Sequence, residues 1–260
     1  MAAQATPLLQ TYGLTKRFRG FVAVDNVDLS VQAGSIHALV GPNGAGKTTL
    51  FNMLSGFVRP SAGRIVVHGH DVTRMAPDQI ARRGVGRSFQ ITSLFEQLSS
   101  VEHVSLALQS ATGLGYRFWR SERALSRFRP RSLELLAEVG LESLAEREVH
   151  TLAYGQKRAL ELALALALAP ELVLLDEPTA GMGVEEVARI ITLIRRIAVG
   201  RTVVLVEHNM GVVGELADRV TVLQRGTILA EGPYAEVRRD ARVVTAYLGQ
   251  VEEPVGDAQH

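Results

Sequence analysis

Apolar positions fall in short blocks separated by glycine and polar turns. Val22, Val24, Val27, Leu29 and Val31 alternate in part with polar residues, so 8–37 reads as short strands punctuated by Gly34. The apolar run Ile36–Val40 predicts a buried strand that stops at Gly41. A glycine loop follows and opens a helix predicted to stop near Gly56. Residues 65–68 and 85–89 read as strands, with His68-Gly69-His70-Asp71 as the turn after the first. From 99 to 168 the pattern becomes helical. Ser99 and Glu102 form a capping box ahead of Val101, Val104 and Leu108, and Leu133, Leu136 and Leu141 suggest a second helix with breaks. In 155–169 strict Leu/Ala alternation imitates a strand. Ala and Leu are the best helix formers and no β-branched residue occurs there, so the prediction is a buried helix. Strands at 172–175, 202–206, 220–223 and 228–230 then alternate with helices at 185–198 and 210–216. That alternation implies an α/β fold with a largely parallel sheet, interrupted by an inserted helical subdomain.

Length adds little by itself: 260 residues at about 150 per domain allow one large domain or two small ones. Charge and cysteine content exclude more. Lys+Arg 28 against Asp+Glu 27 leaves a net charge of +1, which argues against binding nucleic acid by bulk charge. The absence of cysteine excludes a disulfide scaffold, a thiolate metal site and a Cys nucleophile. The apolar stretch 162–169 is far short of the about 20 residues a spanning helix needs. The first ten residues do not read as a signal peptide. The expectation is a soluble, cytoplasmic chain that serves a membrane, if at all, through a partner. The polar segment 251–260 is expected to fray.

Three short runs carry chemistry. Gly41-Pro42-Asn43-Gly44-Ala45-Gly46-Lys47-Thr48 fits G-x-x-x-x-G-K-[ST], after a strand and before a helix. In such a loop the glycines let backbone N–H groups turn inward around a triphosphate, and the helix N-terminus adds its positive end. Lys47 is expected to reach the β- and γ-phosphates, the Thr48 hydroxyl to hold Mg²⁺, and Thr49 to add a phosphate contact. Leu172-Val173-Leu174-Leu175-Asp176-Glu177 is a buried strand ending in two acids at its carboxyl end, where α/β ligands sit. Asp176 is expected to hold Mg²⁺ through water and Glu177 to act as general base on the attacking water. A third strand, 203–206, ends in Glu207-His208, with His208 placed to contact the γ-phosphate.

The order of these runs resembles the ATP-binding cassette (ABC) ATPases: a P-loop, Gln90 after a strand, a helical insert, Leu152-Ala153-Tyr154-Gly155-Gln156, Asp176-Glu177 and His208. The resemblance spans 8–249 and implies a P-loop NTPase (RecA-like) core with an N-terminal antiparallel β subdomain and an inserted α-helical subdomain, about 95–168. Residues 250–260 are expected to form a flexible tail. It further implies that Phe18 stacks on adenine and that Gln90 contacts Mg²⁺ and couples the nucleotide to a transport partner. The P-loop residues Gly41, Asn43, Gly44, Ala45, Gly46, Lys47, Thr48 and Thr49 would bind ATP. The signature residues Ala153, Tyr154, Gly155 and Gln156 would face the γ-phosphate held by a second ATPase subunit. The implied partners are two membrane permease subunits, that second subunit (identical or paralogous) and an extracytoplasmic solute-binding protein. The implied location is peripheral, on the cytoplasmic face of the membrane.

The signature form, the run Gly84-Val85-Gly86-Arg87-Ser88-Phe89-Gln90 and the ending Ala246-Tyr247-Leu248-Gly249 look like the ATPases of branched-chain amino-acid importers. An ATPase for lipopolysaccharide extraction and a soluble, non-transport ABC ATPase stay as alternatives. Three positions depart from the family pattern: Ala153 replaces the signature Ser, Gly183 stands where an Asp is usual, and Leu164 where an Arg is common. The loss of one hydroxyl hydrogen bond costs about 1 kcal/mol, which the site should tolerate. With Lys47, Gln90, Glu177 and His208 present, the site reads as hydrolytically competent. The Arg-rich segment 117–131 has two readings, a solvated surface or a contact with headgroups or permease.

Overall fold

The computed structural model describes residues 7–88, 94–111 and 127–248. Gln90, Phe89, the arginines at 117, 120 and 123, and the tail 251–260 lie outside the described residues.

The chain builds two sheets. The first is antiparallel, with β1 (Pro7–Phe18) between β2 (Phe21–Val27) and β5 (Ala62–Val67), β6 (His70–Asp71) on its far edge, and β3 (Ser30–Gln32) also on β1. The second has the order β11 (Thr227–Gly232), β10 (Arg219–Gln224), β4 (Ile36–Val40), β9 (Thr202–Val206), β8 (Leu172–Asp176), β7 (Val85–Arg87). It is parallel from β10 to β7, with β11 antiparallel on one edge.

The parallel strands are buried on both faces, which explains their unbroken apolar runs. In β4, β8 and β9 alternate residues serve two cores. Ala38, Val40, Val173, Leu175, Val203 and Leu205 face the helices, while Leu39, Leu172, Leu174, Val204 and Val206 face the other sheet. Between the sheets lies helix α1 (Lys47–Leu54), whose Leu50, Phe51, Met53 and Leu54 are buried in that second core. A short helix, α2 (Pro77–Ala81), inserts Ile80 beside it.

On the other face, α3 (Ser100–Ala111), α4 (Arg129–Glu138) and α5 (Tyr154–Leu166) pack on one another. Helix α6 (Val184–Ile197) presents Ile190, Ile191, Ile194 and Ile197 to the same core. Helices α7 (Met210–Leu216), α8 (Tyr234–Val237) and α9 (Ala241–Leu248) complete the helices of the described residues. The Leu/Ala segment is helical as predicted, and buries Leu160, Leu162, Ala163 and Leu166.

The Ser99–Glu102 box is present: the Ser99 N–H and hydroxyl both donate to Glu102 Oε2 at 2.8 Å. Leu141 lies beyond α4. Gly140, at φ 75°, ends the helix with paired bonds from Gly140 N to Ala137 O (3.1 Å) and Leu141 N to Leu136 O (2.7 Å). One predicted turn is shorter than expected. His68 and Gly69, both at positive φ, turn the chain alone, which leaves His70 and Asp71 extended against Val67 and Val66.

Candidate functional site

The carboxyl ends of β4, β7, β8 and β9 open onto one edge of the parallel sheet, where α/β folds bind ligands. The P-loop leaves β4 there. Its shape depends on glycine at two positions. A Cβ on Gly41 (φ 149°) would stand 2.2 Å from the Leu223 carbonyl oxygen, and one on Gly46 (φ 99°) 2.4 Å from that of Ala23. Below the loop, the β10–β11 turn braces it through Gly226 N–H donating to Ala45 O at 3.0 Å. Helix α1 begins at Lys47 with no side chain capping it, so its first-turn N–H groups are left for an anion.

The Lys47 ammonium folds back into the loop and donates to Gly41 O (2.6 Å) and Pro42 O (3.0 Å). Burial pulls its pKa down, and the negative charge of Glu177 opposes that shift. A buried ammonium among loop carbonyls, beside uncapped N–H groups, fits a polyphosphate. Asn43, Gly44 and Thr48 are exposed on the same loop and helix start, and Thr49 is half-buried.

Asp176 and Glu177 end β8 in different environments. The Asp176 side chain is mostly buried. Burial raises its pKa, and the Arg87 guanidinium, 3.6 Å away, partly offsets the rise. A mostly buried carboxylate at the carboxyl end of a strand beside β9 and β7, with the phosphate loop at the same sheet edge, suits a hydrated Mg²⁺. Glu177 is half-exposed and sits at φ 44°, an uncommon region for a side-chain-bearing residue. Three contacts hold it there: Glu177 N–H donates to Val206 O (2.9 Å), and Ala180 N–H (3.1 Å) and Arg158 Nη2 (3.3 Å) both donate to Glu177 O. Such over-determined strain gathers at functional sites. His208 Nδ1 lies 3.8 Å from Glu177 Oε1, and both side chains are open to solvent.

Three residues of this region are missing from the sequence reading of the site. Glu207 is fully buried and accepts from Thr179 N (3.1 Å), Thr179 Oγ1 (2.6 Å), His208 N (3.2 Å) and Asn209 N (3.4 Å). It ties the loop after β8 to the loop bearing His208. Its one sequence signal is an acid directly after an apolar strand. Arg158 pairs with buried Glu161 at 2.8 Å, and burial pushes that carboxyl up to about 7. Two charges three apart in a Leu/Ala helix were the available hint. The third, Arg87, becomes legible only once β7 is seen to lie beside β8.

The signature residues belong to a different wall. Ala153 caps α5, and its N–H donates to Gln156 Oε1 at 2.9 Å. Tyr154 Oη donates to Ala180 O at 3.0 Å, joining the helix start to the turn after Glu177. Ala153, Gly155 and Gln156 line a cavity of about 320 Å³ with Glu186 and Arg189, whereas Asn43, Gly44 and Ala45 line another of about 380 Å³ with Arg225 and Thr245. Gly183 caps α6, its N–H donating to Glu186 Oε2 at 3.3 Å, and Leu164 is partly buried. Phe18, at the end of β1, is 45% exposed with Lys16 Nζ 4.8 Å above its ring. An exposed flat ring is available for stacking. The structure thus brings Lys47, Asp176, Glu177 and His208 to one edge and sets Ala153–Gln156 apart from the loop; Gln90 lies outside the described residues.

The family model described as ABC transporter matches residues 24–180, and that described as branched-chain amino acid ATP-binding cassette transporter matches 227–253. The high-affinity branched-chain amino acid transport ATP-binding protein BraF of Pseudomonas aeruginosa is 37% identical over 254 residues, which cover 94% of this chain and 98% of that one. LivG of Escherichia coli, of the same description, is 39% identical over 251 residues, covering 94% and 98%. Among solved structures, the ADP conformation of MJ1267, an ATP-binding cassette of an ABC transporter, superposes with a TM-score of 0.84 at 28% identity, covering 94% of this chain and 99% of that one. The dimer of the cassette MJ0796 bound to ADP and Pi gives 0.72 at 26% identity, covering 87% and 98%.

Proposed function

Because the chain belongs to the ABC transporter family, in its branched-chain amino acid ATP-binding cassette branch, we propose that it is the ATP-hydrolysing subunit of a multi-subunit importer for branched-chain amino acids or a related small polar solute. The observation that carries the catalytic part is the pinned Glu177 at the sheet edge, with Lys47 near enough to feel its charge and His208 3.8 Å away.

The residues take distinct tasks. The N–H groups of 43–48 and the Lys47 ammonium hold the β- and γ-phosphates, and Phe18 stacks on adenine. Thr48, Asp176 and Gln90 hold the magnesium ion, which when bound neutralises phosphate charge. Glu177 takes the proton of the attacking water, and His208 donates toward the γ-phosphate. Phosphoryl transfer asks the protein mainly for position and electrostatics, so a backbone that fixes Glu177 matters as much as its carboxylate.

Residues 8–249 form one nucleotide-binding domain with helices 95–168 inserted. Ala153, Tyr154, Gly155 and Gln156 serve the γ-phosphate bound by a second ATPase subunit, which the separate cavities of loop and signature support. Two ATP molecules close a head-to-tail dimer, closure pulls on two membrane permease subunits, and hydrolysis reopens it. A solute-binding protein delivers the solute from the other side. No helix among the described residues is long and apolar enough to cross a membrane. The subunit is peripheral, on the cytoplasmic face, held there by its permease partners. The curated relatives named above are importer components, so the exporter and non-transport readings are not favoured.

The test is Glu177→Gln. It should keep ATP affinity within about twofold, lower turnover at least about a hundredfold and trap a dimer. Normal turnover in that variant removes Glu177 from the role of base.

A further inference from the structure

Arg87 has more partners than a solvated arginine needs. Its Nη1 donates to Asn52 Oδ1 (2.8 Å) and Ser55 Oγ (2.6 Å), both at the C-terminal end of α1. Its guanidinium lies 4.7 Å from the Phe51 ring centroid and 4.8 Å from that of Phe57. Its Nη2 lies 3.6 Å from Asp176 Oδ2, and both side chains are less than one-fifth exposed. The arginine therefore joins three elements: its own edge strand β7, the helix that carries the phosphate loop, and the carboxylate at the end of β8. Phe57, the outermost member, is 53% exposed and lines a shallow groove of about 210 Å³ with Ile80, Val85 and Arg87.

We propose that Arg87 is a positioning residue for Asp176, clamped by Asn52, Ser55, Phe51 and Phe57, and that it ties this carboxylate to the P-loop helix and to the groove rim at Phe57. The inference rests on the reading of Asp176 as a ligand of the nucleotide's metal ion. The fork of an arginine suits this task. One nitrogen is fixed to α1 while the other faces the carboxylate, so the carboxylate direction follows from the strand and helix geometry. Lysine, a point charge on a flexible stem, keeps the charge and loses the fork and the stacking. The two rings, 4.7 and 4.8 Å away, restrict the guanidinium. Arg87 touches neither nucleotide nor metal in this scheme and is not a catalytic residue.

The probe is Mn²⁺ binding to the intact chain with ADP, followed by electron paramagnetic resonance, beside ADP binding in EDTA. Arg87→Met is expected to weaken Mn²⁺ about fivefold or more while ADP affinity in EDTA holds. Arg87→Lys should fall between Met and wild type. Phe57→Ala, at the half-exposed rim, should weaken Mn²⁺ about twofold through loss of one stacking wall. Unchanged or tighter Mn²⁺ binding in a folded Arg87→Met protein overturns the proposal. If that variant does not give a folded melting transition, Phe57→Ala decides, and unchanged Mn²⁺ affinity there overturns it. Failure of the underlying reading looks different: the wild-type chain itself would then show no ADP-dependent Mn²⁺ site.

Discussion

Replacing Glu207 by glutamine changes one oxygen to an amide and should still damage the protein. All four groups around Glu207 are donors: Thr179 N–H and O–H, His208 N–H and Asn209 N–H. The side chain is fully buried, so water does not supply replacements. An amide placed with its oxygen toward Thr179 turns its NH₂ against two backbone N–H groups. Flipped, it still faces the Thr179 N–H, although the hydroxyl then turns and accepts. At least one buried donor is orphaned, which costs about 1–3 kcal/mol, and the remaining bonds lose the strength of a charged acceptor. The sum is about 2–4 kcal/mol, or a melting temperature lower by about 5–12 °C for a chain of this size. Because Glu207 sets the backbone at His208, turnover should also fall about tenfold or more. Thermal unfolding and steady-state ATP hydrolysis read both effects. Thr179→Val, which removes a single bond to this charged acceptor, should cost about 1.5–3 kcal/mol. A Glu207→Gln protein that melts within about a degree of wild type and keeps full turnover would refute the reasoning.

The same site and core give further expectations. Lys47→Ala should weaken ATP by about tenfold or more, since it removes the buried ammonium among the loop carbonyls; calorimetry showing unchanged affinity would contradict the phosphate-loop assignment. Gly46→Ala should lower both stability and nucleotide affinity, because its Cβ would stand 2.4 Å from Ala23 O at a φ of 99°; a wild-type melting curve in that variant would mean the loop can take another shape. His37 is buried in the central strand with its pKa pushed down to about 4 by burial and by Arg219. It is neutral in the fold and protonated in the unfolded chain between about 4 and 6.5, so stability is lost as pH falls through that window. His37→Leu should flatten the loss, as Thr221 Oγ1 keeps its bond to Glu231 at 3.0 Å; an unchanged dependence of urea midpoint on pH would assign the acid sensitivity elsewhere.

Much of this was legible in the chain, for reasons that differ by element. The strand Ile36–Val40 and the loop after it are local features, since a buried parallel strand has to be apolar throughout and a phosphate loop has to be glycine-rich. The Leu/Ala helix was decided by propensity against its misleading alternation. His70 and Asp71 read as turn in the sequence because their strand has only two residues and is defined by pairing with a neighbour, not by a pattern of its own. Arg87 is silent in the sequence, and Glu207 and Arg158 give only faint signals, because what each does depends on a partner brought close by the fold: Asp176 from the next strand, Thr179 from the neighbouring loop, and the Glu177 carbonyl from the end of β8. The acids Asp176 and Glu177 could be named from their position, but the left-handed backbone that aims Glu177 could not.

The most direct test of the account is ATP hydrolysis by this chain co-purified with its membrane subunits and reconstituted in vesicles, with the solute-binding protein presented free or loaded with leucine, isoleucine or valine. Hydrolysis should rise with the loaded binding protein and disappear in Glu177→Gln while ATP still binds. Hydrolysis indifferent to every loaded form, or undiminished in Glu177→Gln, would contradict it.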